Sequence, residues 1–186
     1  MNKIDRRVVK TLRLIDQTCY DLLATTAFER LSIAEICQEA EIGRSTFYQY
    51  YLDKYDWLEK QVARYTASFQ ELMNQRQLDF QETSSLTQLV KGLLPEQRRL
   101  QILLAIHVDS ADLTQNFQRI LQAALPQYLE QRSVVLPVPL DYLQEIYAAS
   151  AMTYIRYAIE NGLDERISSF MNQSFKVVLA GLTKPK

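Results

Sequence analysis

The chain has 186 residues, a formal net charge of −1 and a sequence pI near 5.9, so it is long enough for one large domain or two small ones around a real core. Only 4 glycines and 5 prolines favour an all-helical fold, and 2 cysteines are too few for a disulfide framework or a thiolate zinc site. No apolar run reaches the length of a membrane span, the N-terminus lacks the apolar segment of a signal peptide, and a cytoplasmic protein is expected. The slightly acidic balance argues against a nucleic-acid partner unless the basic side chains gather on one face.

Residues 1 to 7, MNKIDRR, read as a basic arm that suits a phosphate backbone or minor groove as well as a solvated helix start. From Val8 onward, Val8, Leu12, Ile15, Cys19, Leu22 and Leu23 follow helical spacing, which predicts a helix to about Thr25, with Cys19 a buried free thiol. Phe28 and Leu31 should lock its end onto the next helix. Ser32 and Glu35 form an S-x-x-E capping box, and Leu31 with Ile36 can close over it as a hydrophobic staple. A short helix therefore starts at Ile33, with Ile33, Ile36, Cys37 and Ala40 on its apolar face. Glu41-Ile42-Gly43 breaks it. The next helix, Arg44 to about Tyr51, turns Phe47 and Tyr51 inward and leaves Arg44, Ser45, Thr46, Tyr48, Gln49 and Tyr50 mostly outward. Arg and Gln suit base edges, and the hydroxyls suit phosphate oxygens.

The run Arg44-Ser45-Thr46-Phe47-Tyr48-Gln49-Tyr50-Tyr51, then Leu52-Asp53-Lys54, with the capping box upstream, resembles the helix-turn-helix of TetR-family transcriptional regulators. The likeness covers about residues 8 to 60. Two positions depart from that pattern: the family usually has Gly where this chain has Glu41, and Ser or Thr where it has Gly43. Glu41 is then placed in a left-handed conformation, uncommon for a non-glycine residue, and its carboxylate opposes nearby phosphate. The resemblance implies an all-α protein of about nine helices, with a helix-turn-helix DNA-binding domain over 1–53 and a helical regulatory and dimerisation domain over 54–186. It implies double-stranded DNA as partner, base readout by Arg44, Gln49 and Ser45, and phosphate contacts by Thr46, Tyr48, Tyr50 and Lys54.

Asp53 to Gln77 reads as one long helix, capped by Asp53, carrying Lys54 in its first turn and joining reader to body through Trp57, Leu58, Val62, Tyr65, Phe69, Leu72 and Met73. Gln75 to Ser85 reads as a boundary loop. Helices follow near Leu86 to Leu94 and Glu96 to Val108, the latter with the single histidine, His107. Another starts near Ala111, and Pro126 should kink or end it. Ser133 to Pro139 reads as a connector. From Leu140 to Asn161 the helix is apolar or aromatic on nearly every face, so a second copy of the chain is the simplest cover for one side. Gly162 is a C-cap candidate, Asp164 caps the next helix, and Ile167, Phe170, Met171, Val178 and Leu182 give it a stripe. The last two helices of each protomer are expected to pack as a four-helix homodimer interface.

In the resembled family, effectors bind inside the body. Tyr65, Phe69, His107, Phe117, Tyr147, Met152 and Tyr154 are the candidates here, each equally suited to plain core, and they imply a moderately apolar small molecule. An enzyme would need a nucleophile with its base, a metal-ligand cluster or a glycine-rich phosphate loop, and the sequence offers none; no cofactor is expected. The leading expectation is a dimeric, ligand-responsive repressor on a palindromic operator. The alternative is a helical co-regulator of the same fold that has lost DNA binding.

Overall fold

The computed structural model describes residues 6–78, 85–130, 136 and 138–182. Residues 1–5 of the basic arm, 79–84 of the boundary loop and most of the 133–139 connector lie outside the described residues, as do the side chains of Val178 and Leu182. The described residues are all-α: α1 (Arg6–Leu23), α2 (Ile33–Glu39), α3 (Arg44–Tyr48), α4 (Lys54–Leu78), α5 (Ser85–Leu93), a 3-10 turn (Leu94–Glu96), α6 (Gln97–Leu104), α7 (Leu113–Glu130), α8 (Leu140–Asn161) and α9 (Glu165–Leu182).

Several boundaries shift from the sequence reading for local reasons. α4 continues to Leu78, so the start of the expected boundary loop is helical. The helix expected over Glu96 to Val108 is shorter, because Pro95 opens a 3-10 turn and the Thr114 hydroxyl takes the Leu104 carbonyl at 3.1 Å where α6 stops. α7 begins at Leu113 because Asp112 caps it, accepting the Gln115 N–H at 2.9 Å. Pro126 does not end α7. A proline strips the carbonyl four residues back of its helical donor, and here that carbonyl, on Gln122, accepts the Gln144 side-chain amide of α8 at 3.0 Å. α8 matches the expected span, and Gly162 stops it with φ +82°, a conformation glycine reaches without a Cβ penalty. Asp164 then opens α9 by accepting the Arg166 N–H at 2.9 Å, and the Arg166 guanidinium holds its carboxyl at about 2.

The buried apolar residues form one continuous core from Ile15 of α1 to Ile159 of α8. Phe69 of α4 stacks on Phe117 of α7 at 3.8 Å between ring centres. α6 ties two distant parts together. Its Gln97 and Gln101 amides both donate to the Ile159 carbonyl near the end of α8, at 2.6 and 2.8 Å. Its Arg98 and Arg99 reach α1, at Asp21 (3.0 Å) and Gln17 (3.2 Å). Cys19 and Cys37 are buried free thiols. Burial pushes both thiols up, which leaves them protonated and unreactive.

Candidate nucleic-acid interface

α2 begins with the capping box: Glu35 N–H donates to the Ser32 hydroxyl at 3.2 Å, and the Ser32 N–H and hydroxyl donate to the Glu35 carboxylate at 2.9 and 2.6 Å. These bonds, the hydroxyl first and the backbone second, hold the Glu35 carboxyl below its ordinary range. Ile36 and Cys37 bury the inner face. The chain then reverses through Glu41 at φ +52°, the left-handed position anticipated from the sequence. Gly43 is an ordinary extended N-cap for α3 at φ −72°, with no side chain to bond the helix end.

α3 is shorter than expected, ending at Tyr48, although hydrogen bonds from Tyr50 and Tyr51 back to Phe47 carry the turn on. Phe47 is fully buried and Tyr51 nearly so, as the spacing required. Arg44, Ser45, Gln49 and Tyr48 are exposed, Tyr48 at 53% despite its ring standing edge-on to Phe47. Thr46 and Tyr50 are half-buried. The exposed set is therefore narrower than the sequence suggested, and it carries one guanidinium, one amide and two hydroxyls.

Lys54 has internal partners that the sequence did not show. Its ammonium donates to the carbonyls of Phe28, Glu29 and Leu31 at 2.8, 2.8 and 3.0 Å, and lies over the Phe28 and Tyr55 rings. An ammonium has three protons, and each of them meets a carbonyl of the protein here. Lys60, which the sequence did not single out, is engaged similarly, bonding the Tyr50 carbonyl at 3.0 Å and Asp56 at 2.8 Å. Asp53 caps α4 as expected, accepting the Tyr55 and Asp56 N–H groups at 2.8 Å each, so these two are also occupied. The cation on α3 itself is Arg44.

The body candidates are mostly core. Tyr65, Phe69, Phe117, Tyr147, Met152 and Tyr154 are buried. The Tyr65 hydroxyl donates to Glu96 at 2.8 Å, Tyr147 accepts from Arg76 at 2.7 Å, and Tyr154 pairs with Ser168 at 2.6 Å. His107 is not with them: it is exposed on the turn after α6, its Nδ1 2.8 Å from an Asp112 carboxylate oxygen.

No family model and no curated protein sequence matches the chain. Solved structures do match. A dihydroxyacetone kinase operon activator, DhaS, aligns with a TM-score of 0.56 at 20% identity, over 94% of this chain and 97% of that one. A gamma-butyrolactone receptor, ArpA-like, aligns at 0.58 with 16% identity, over 95% and 90%. Regulatory protein TetR from Rhodobacter sphaeroides aligns at 0.55 with 16% identity, over 90% and 96%. The fold is that of TetR-family transcriptional regulators. No helix among the described residues is long and apolar enough to cross a membrane.

Proposed function

We propose that the chain is a transcriptional regulator of the TetR type that reads double-stranded DNA as a homodimer. Residues 1–53 form the reader and 54–186 the regulatory and dimerising body. The observation that carries this reading is the outward Arg44, Ser45, Tyr48 and Gln49 on a helix whose other side is locked into the core by Phe47 and Tyr51. Arg44 and Gln49 read bases, with Ser45 beside them; Tyr48 bonds phosphate, with half-buried Thr46 and Tyr50 at the margin. Lys54 serves by holding the α1–α2 connection in place.

A single short recognition helix contacts too few base pairs for specificity, so two copies are needed, about 34 to 36 Å apart on successive major grooves. α8 supplies a face for that pairing: Tyr142, Ile146 and Tyr157 are exposed large side chains on it, and Phe170 of α9 is exposed at 67%. Burying that face against its own copy gives the four-helix interface. A small, moderately apolar effector would enter the body among Tyr65, Phe69, Phe117, Tyr147, Met152 and Tyr154. Repression is the proposed outcome, through occupation of a palindromic operator.

Selection from a pool of random duplexes at low salt, followed by gel shift, tests the reading. Enrichment of a palindrome by a dimer supports it, and loss of that binding in Arg44→Ala with the fold intact ties it to α3. A second reading, a co-regulator of the same fold that no longer binds DNA, is favoured by the exposed Glu41 carboxylate beside the reading helix and by the net charge of −1. Failure to enrich any duplex, with the dimer intact, selects it.

A further inference from the structure

The Asp16 carboxylate of α1 sits where three elements meet, and one of its oxygens, Oδ1, accepts three hydrogen bonds. The donors are the Tyr51 hydroxyl at 2.9 Å, the Trp57 indole N–H at 3.0 Å and the Gln61 amide at 3.1 Å. Gln61 in turn accepts from the Tyr20 hydroxyl at 3.1 Å, and Tyr20 stands edge-on to Trp57. Two of these donors belong to α4, but Tyr51 belongs to the turn that leaves the reading helix. Its ring lies against Phe47, the buried anchor of α3, with ring centres 5.6 Å apart.

We propose that Asp16 is a positioning residue for DNA reading: through the Tyr51 hydroxyl it sets the angle at which α3 leaves α4, and so where Arg44 and Gln49 meet base edges. The inference rests on the DNA-reading proposal above. A half-buried carboxylate costs desolvation unless donors are supplied. Here they come from both sides of the α3–α4 junction, which makes the junction angle the geometry that satisfies the charge. Without the Tyr51 bond, α3 keeps its apolar anchor but loses its directional one, because apolar packing is non-directional and a hydrogen bond is not. Burial first, and the Asp16 charge second, push the Tyr51 hydroxyl up, so it remains a proton donor across the working pH range.

The test uses the full chain and two duplexes: one enriched from a random pool by the wild-type protein, and one of equal length with scrambled sequence. Tyr51→Phe keeps the ring and removes the bond. The cognate-to-scrambled affinity ratio should fall about tenfold, the worth of one charge-assisted hydrogen bond, with scrambled affinity and its salt slope unchanged. Thr66→Val is the control; it deletes a bond of Asn116 to the α4 hydroxyl, 3.0 Å, away from the junction, and should leave the ratio alone. Trp57 is the single tryptophan and stays bonded to Asp16 in Tyr51→Phe, so its emission maximum should not move. Asp16→Asn, whose neutral amide oxygen still accepts but without the charge, should recover part of the ratio lost in Asp16→Ala. A wild-type ratio in Tyr51→Phe overturns this proposal alone. So does equal loss on both duplexes with a shifted Trp57 emission, the mark of general loosening. A wild-type protein that enriches no duplex overturns both proposals.

Discussion

Replacing Lys54 by Met separates two roles for the same side chain. Methionine keeps the apolar stem and removes the ammonium that the Phe28, Glu29 and Leu31 carbonyls share. The bond to Glu29 is exposed, and water replaces it at little cost. Those to Phe28 and Leu31 are part-buried, and a buried acceptor abandoned by a charged donor costs about 1.5–3 kcal/mol. Discounting for partial exposure, Lys54→Met should lose roughly 2–3 kcal/mol in all. Against a total stability of about 5–15 kcal/mol, that lowers the urea midpoint by about 1–2 M, read by Trp57 fluorescence. A phosphate contact behaves differently: its loss leaves stability alone and cuts the DNA salt slope by about 0.9. An unchanged midpoint with a slope reduced by about one would refute the internal role of the ammonium and restore the phosphate role.

Glu41→Gly should stabilise the protein. A left-handed residue with a Cβ costs about 1–2 kcal/mol, and glycine returns part of the gain as unfolded-state entropy. A net gain of about 0.5–1 kcal/mol, and tighter DNA binding once the carboxylate is gone, would appear in melting and gel-shift curves; a lower melting temperature counts against it. Glu35 sets an acid dependence. Its folded pKa lies below its unfolded one, so the capping box contributes fully above the ordinary carboxylate range and is lost as pH falls through the depressed value. The stability gap between wild type and Glu35→Gln should shrink between neutral and strongly acidic pH, and a constant gap would show that the charge contributes nothing. Ile146→Glu puts a charge on the exposed α8 face. Light scattering should then find monomers of unchanged helicity, and a variant that remains dimeric moves the interface elsewhere.

What the sequence determined by itself was whatever depends on neighbours within a turn or two. The Ser32–Glu35 box, the inward Phe47 and Tyr51, the left-handed Glu41, the Asp53 and Asp164 caps and the Gly162 stop are all local arrangements, set by spacing and by backbone sterics. The tertiary structure decided the fate of polar side chains whose partners lie far along the chain. Lys54 bonds a carbonyl 26 residues away and Trp57 a carboxylate 41 residues away, and nothing in the local pattern distinguishes a lysine bound for phosphate from one bound for a carbonyl. Pro126 read as a kink or an end of the helix because its own segment cannot supply the missing donor; Gln144 on another helix does. Apolar periodicity tells which face is buried. Only the assembled fold places a distant donor within hydrogen-bond reach, because that bond needs both distance and direction to be met at once.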